Sequence, residues 1–91
     1  MDQKPAVCVQ GLGFVGAAMA VAVASARTAG GDPAFCVIGV DLANETGHQR
    51  IDALNTGRFP FATEDSALAA AALACHRAGN LSATDLSLIH I

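Results

Sequence analysis

The chain has 91 residues, enough for one small core and therefore for one domain or a piece of one. Its net charge of -3, with five basic residues scattered along it, excludes the basic footprint of a nucleic-acid binder. Cys8, Cys36 and Cys75 form no C-x-x-C pair, which excludes a disulfide framework and fits small core residues of a reduced, cytoplasmic protein.

Residues 1–5 form a polar lead-in, and Ala6-Val7-Cys8-Val9-Gln10 is the first predicted strand, short and apolar as a strand buried on both faces should be. Gly11-Leu12-Gly13-Phe14-Val15-Gly16 follows at once and opens into an Ala-rich segment, which is G-x-G-x-x-G in the order strand, turn, helix. In such a turn Gly11 permits the bend out of the strand. Gly13 lets backbone approach a pyrophosphate, and Gly16 lets the helix pack closely. The phosphates then meet N–H groups at a helix N-terminus, where the dipole favours negative charge.

The first helix is predicted from Phe14 to about Ala26 and is apolar all round, which fits a helix wedged between a sheet and other protein. Without that cover it would expose an apolar face. A second reading treats Lys4, the apolar stretch and Ala24-Ser25-Ala26 as a secretory signal peptide. Against it stand Asp2 and three glycines at motif spacing. The uninterrupted apolar run is also shorter than the roughly 18 residues of a membrane span.

Thr28 to Pro33 is a loop, and Phe35-Cys36-Val37-Ile38-Gly39-Val40 is the second strand, ending in Asp41. A carboxylate there accepts hydrogen bonds from an adenosine ribose diol and repels a 2′-phosphate, so the cofactor expected is NAD. The interval from Gly11 to Asp41 exceeds the usual spacing of about 20 residues, and the loop supplies the excess. Asn44-Glu45-Thr46 offers capping chemistry for a helix to about Asn55, with Ile51 and Leu54 inward and Gly57 as its stop. Arg50 on this helix either approaches the adenine or ribose or stands on a solvated face.

Arg58-Phe59-Pro60-Phe61 is a connector whose aromatics are expected to anchor it to the sheet edge. Thr63 is the expected N-cap of the next helix, with Glu64 and Asp65 in its first turn, His76 and Arg77 in its last, and Gly79 closing it. Leu81-Ser82-Ala83-Thr84 is the third strand. The order β-α-β-α-α-β with apolar strands predicts an α/β fold, a doubly wound parallel sheet of which only the N-terminal, adenosine-binding half is present.

These residues resemble a known family. Val7 to Gly16, then Asp41, then Arg50-Ile51-Asp52-Ala53-Leu54-Asn55-Thr56-Gly57-Arg58-Phe59-Pro60-Phe61, then Gly79 to Asp85, are similar to the opening of the UDP-glucose/GDP-mannose dehydrogenases. The resemblance implies a Rossmann-like domain over residues 1–85. In it Gly11, Gly13, Phe14, Val15 and Gly16 hold the pyrophosphate of NAD, Asp41 takes the ribose diol, and Arg50 matches the basic residue that follows the acid. It also implies a parent enzyme, homo-oligomeric, that oxidises a UDP- or GDP-sugar C6 alcohol to the uronate, as in polysaccharide biosynthesis.

The family's catalytic cysteine and its Lys, Asn and Asp helpers have no counterpart here, so no catalytic residue is assigned and the chain alone is expected to be inactive. Cys8 and Cys36 lie on strands expected to be buried and have no nearby His or Lys to activate a thiol, and Cys75 precedes His76, but neighbours on a helix point about 100° apart. His48, His76 and His90 lack metal-ligand spacing, so no metal site is expected. Residues 86–91 follow with apolar sequence where the family continues with a polar helix. They are read as a non-native, adapter-like or truncated tail, the alternative being a strand. Other open readings are a different NAD-dependent dehydrogenase, which Arg50 to Phe61 disfavours, and a nucleotide-binding module without chemistry. Neither nucleic acid nor a membrane is an expected partner.

Overall fold

A computed structural model describes residues 4–63 and 65–85. Six elements follow one another: β1 (Ala6–Gln10), α1 (Phe14–Ser25), β2 (Cys36–Asp41), α2 (Glu45–Asn55), α3 (Ser66–Ala78) and β3 (Leu81–Asp85). The strands make one parallel, open sheet in the order β1-β2-β3, with Val7 opposite Val37 and Val37 opposite Leu81. Parallel neighbours need crossovers, and α1 supplies the first while α2 and α3 share the second. The fold is α/β and Rossmann-like, as the sequence predicts, and its strands correspond to the first half of a doubly wound sheet.

Alternation along the strands puts Val9, Val37, Leu81 and Ala83 into one apolar cluster. Leu12 of the first turn, Ala20, Val21 and Ala24 of α1, Ile51 and Leu54 of α2, and Ala72 and Cys75 of α3 complete it. All three helices therefore pack on the same face of the sheet. Ala6, Cys8, Gln10 and Ser82, which alternate to the other face, are exposed.

This corrects the expectation for β1. Only Val9 of that strand is buried, because β1 is an edge and no described residue covers its second face. The cysteines shift accordingly: Cys8 is exposed and Cys36 half-buried, whereas Cys75 is the buried one. Cys75 lies 3.5 Å from Ser25 Oγ, inside the contact between α1 and α3.

Helix α1 buries Ala17, Ala20, Val21 and Ala24 and leaves Phe14, Val15 and Met19 exposed. An all-apolar helix with one covered side must show the other, and this one does. In α2, Asn44 Oδ1 accepts from the N–H of Gly47 at 2.8 Å, Ile51 and Leu54 face inward, and Gly57 at φ 80° ends the run. The side chain of Asn55 then pairs with the outer edge of β3. Its Nδ2 donates to the Ala83 carbonyl at 2.9 Å and its Oδ1 accepts from the Ala83 N–H at 2.8 Å.

The start of α3 differs from the expectation. Asp65 is the N-cap, its Oδ1 accepting from the Ala67 N–H at 3.0 Å, and Thr63 Oγ1 instead accepts from the Asp65 N–H. Two cap-competent residues stood two positions apart, and the carboxylate took the helix while the hydroxyl took the turn before it. Gly79 closes α3 in the left-handed region, as predicted. Asn80, which is buried, then donates Nδ2 to the carbonyls of Ala24 at 2.8 Å and Phe35 at 2.9 Å, joining the end of α1 to the start of β2. Glu64, His90 and the segment 86–91 lie outside the described residues, as does the start of the polar lead-in, 1–3.

Candidate functional site

The turn after β1 takes its shape from two glycines. Gly11 has φ 88°, a conformation that costs an L side chain strain, and its N–H donates to the Val40 carbonyl at 2.7 Å. A Cβ at Gly16 would overlap the carbonyl oxygen of Gly11, so the helix crosses its own entry turn at backbone distance. The close approach expected at Gly16 is therefore real, and it is made to the turn carbonyl rather than to a strand side chain. Beside Gly13 nothing lies within 4 Å of where a Cβ would stand, which leaves that face of the turn open.

Helix α1 starts on this open face without a side-chain cap. Gly13 is its N-cap and offers only its carbonyl, which accepts from Ala17 at 2.8 Å. The first-turn N–H groups of Phe14 and Val15 have no intrahelical partner by construction. Helices α2 and α3 differ, since Asn44 and Asp65 fill that role with their own side chains. Of the three, α1 alone has no side chain capping its first turn, so its free N–H groups and positive dipole end are left to an incoming anion.

The acid at the end of β2 is tied to the same turn. Asp41 is buried; its Oδ2 accepts from the Leu12 N–H at 3.0 Å and its Oδ1 from the Leu42 N–H at 2.7 Å. Leu12 is itself fully buried and lies over Gly39, where a Cβ would stand 2.8 Å from its Cδ2. Burial pushes the Asp41 carboxyl up, but the N–H groups of Leu42 and Leu12 and the Arg50 guanidinium outweigh it and hold the group below the usual carboxylate range. Asp41 is thus an anion built into the site. A carboxylate has about four acceptor positions, so Oδ1 keeps capacity for a hydroxyl. It lines a shallow cavity of about 110 Å³ with Gln10, Gly11, Val40 and Leu42, at the carboxyl ends of β1 and β2.

Arg50 is half-buried and lies beside Asp41. Its Nη1 lies 3.4 Å from Asp41 Oδ2, and its guanidinium sits 5.3 Å from the centroid of the Phe61 ring. Phe61 in turn meets Phe14 at 5.8 Å and Phe59 at 6.1 Å, and Phe14 meets Phe59 edge-on at 5.5 Å. The connector's aromatics meet the first residue of α1, and Phe59 also packs against the core cluster.

Gly11, Gly13, Phe14, Val15, Gly16, Asp41 and Arg50 are thus brought together at one end of the sheet. The sequence reading missed Gly47. A Cβ there would overlap the carbonyl oxygen of Leu42, the same crossing that Gly16 makes over Gly11. The signal was present, because α1 and α2 each carry glycine as the third residue, Gly16 and Gly47. The arrangement can bind an anion beside a diol, and Cys75 is buried away from it. His48 Nε2 and Asp85 Oδ2, 3.0 Å apart, pair across α2 and β3, Asp85 being the strand neighbour of Asp41. Among the described residues no helix is long and apolar enough to cross a membrane.

No protein-family model matches the chain, and no curated protein matches it. Among solved structures it is similar to the NDP-N-acetyl-D-galactosaminuronic acid dehydrogenase from Methanosarcina mazei Go1, with a TM-score of 0.73 and 27% sequence identity. The match covers 89% of this chain and 16% of that one. The resemblance to the N-terminal part of the nucleotide-sugar dehydrogenases therefore holds in three dimensions, and the fold is dehydrogenase-like.

Proposed function

We propose that residues 1–85 are the adenosine-binding part of an NAD-dependent nucleotide-sugar dehydrogenase. The observation that supports this is the bond from the Leu12 N–H to Asp41 Oδ2, which holds the acid at the end of β2 beside a helix N-terminus without a side-chain cap. The open face at Gly13 fits a pyrophosphate, which would accept from the N–H groups of Phe14 and Val15. Asp41 would accept from the ribose diol, and Arg50 would flank it. When bound, NAD supplies the hydride acceptor for the oxidation.

The matched dehydrogenase is much longer than this chain, so the chemistry is proposed for the whole enzyme. There, a UDP- or GDP-sugar C6 alcohol would give up two hydrides in succession to two NAD and take one oxygen from water, leaving as the uronate with release of three protons. The enzyme would be a cytoplasmic homo-oligomer, and residues 86–91 would lie outside the binding part. Calorimetric titration of the folded chain with NAD and with NADP tests the reading. It predicts weak binding of NAD and weaker binding of NADP; a folded chain that binds neither would refute it.

A further inference from the structure

We infer that Phe61 is a positioning residue of the site: its ring, braced by Phe14 and Phe59, holds the Arg50 guanidinium at Asp41, so that the connector from Arg58 to Phe61 shapes the acid's surroundings without touching the acid. The inference rests on the adenosine site proposed above. Two carboxylates stand side by side at this end of the sheet, because Asp41 and Asp85 are partners in the register of β2 and β3. Two side chains of α2 answer them. His48 Nε2 lies 3.0 Å from Asp85 Oδ2, and Arg50 Nη1 lies 3.4 Å from Asp41 Oδ2. An arginine side chain has much rotamer freedom to lose, and a partly exposed ion pair at that distance fixes little of it. The carboxylate beside it does not by itself hold Arg50 in place.

The Phe61 ring supplies the missing constraint. Its centroid lies 5.3 Å from the guanidinium carbon, within the range of a cation–π contact. The ring is in turn fixed, meeting Phe14 at 5.8 Å and Phe59 at 6.1 Å, while Phe59 packs against the core and the Arg58 N–H donates to the Ala53 carbonyl at 2.8 Å. The connector is therefore tied down at its start and along its aromatics. These contacts close a circuit that runs from Phe14 through Phe61 and Arg50 to Asp41, and back through the Leu12 N–H to the glycine turn. The Leu12 bond places the acid, and the aromatic route places the cation beside it. A guanidinium placed before the ligand arrives gives up less freedom on binding.

The test is a double-mutant cycle on the full chain, with 5′-AMP as the probe and circular dichroism as the check of folding. Phe61→Leu keeps apolar bulk but has no π face, and it should weaken 5′-AMP binding about two- to fivefold. Phe61→Tyr keeps the ring and should bind as wild type does. Arg50→Gln should lose at least as much affinity as Phe61→Leu, and adding Phe61→Leu to it should change nothing further. Equal losses from Phe61→Leu in the wild-type and Arg50→Gln backgrounds, or equal losses from the Leu and Tyr variants, would overturn the role of Phe61 while leaving the adenosine site standing. Unchanged 5′-AMP affinity in folded Phe61→Leu or in folded Arg50→Gln would do the same. If Phe61→Leu does not fold, Phe61→Met takes its place with the same expected and contrary results. Failure of folded wild type to bind 5′-AMP or NAD would instead remove the site, and this inference with it.

Discussion

The backbone N–H of Leu12 donates to the carboxylate of Asp41 at 3.0 Å across 29 positions of sequence. The glycine turn and the acid at the end of the next strand are consequently one structure, and what happens to one is felt by the other. The Asp41 carboxyl has a folded-state pKa below its unfolded value of about 3.9. A depressed pKa stabilises the fold at pH above the unfolded value, and that contribution is lost as pH falls through the folded one. Thermal unfolding should therefore show stability dropping below about pH 4, and Asp41→Asn should flatten this acid limb.

The two glycines that flank the start of α1 should fail in different ways. Gly16→Ala places a methyl on the Gly11 carbonyl and should cost about 3 kcal/mol, enough to unfold a domain this small. Gly13→Ala meets nothing within 4 Å, so the chain should fold as before. Its methyl would occupy the face proposed for the pyrophosphate. Circular dichroism with NAD titration separates the two: no folded signal for Gly16→Ala, and a normal melt with lost binding for Gly13→Ala.

Asn55 serves as a substitute strand for the outer edge of β3, donating to and accepting from Ala83. Asn55→Ala leaves both Ala83 groups to water and should lower stability by about 1–2 kcal/mol. It also uncovers a pairing edge. A lower unfolding midpoint, with more concentration-dependent scattering than the parent chain, is the expected result.

Asn80 joins α1 and β2 through two carbonyls, those of Ala24 and Phe35. Because the side chain is buried, Asn80→Ala should cost about 2–3 kcal/mol, more than the change at Asn55. Urea unfolding of the two variants in parallel checks the order.

The elements themselves were legible in the sequence, because each is bounded by local chemistry. Asn44 caps α2, the glycines at 57 and 79 turn the chain left-handed, and the run from Ala6 to Gln10 is too short and apolar for a helix. The candidate site was legible for the same reason, its glycines being spaced by the turn they form. What did not show was contact between layers. Nothing in the spacing of Phe59 and Phe61 says that they meet Phe14, and the apolar run of β1 looks the same whether one face is covered or two. The roles of Asn55 and Asn80 are long-range bonds to backbone, which leave no periodic trace. Thr63 and Asp65 were a local competition between two good caps, and only the path of the turn decides it.

The most direct test of the account is a ¹⁵N–¹H correlation spectrum of the chain as NAD is added. The account predicts that the amides of Gly13, Phe14 and Val15 at the turn, and of Leu42 beside Asp41, shift first and together, while those at the start of β3 and the end of α3 stay in place. Shifts centred on Arg77 and Leu81, or a well-dispersed spectrum that NAD leaves unchanged, would contradict it.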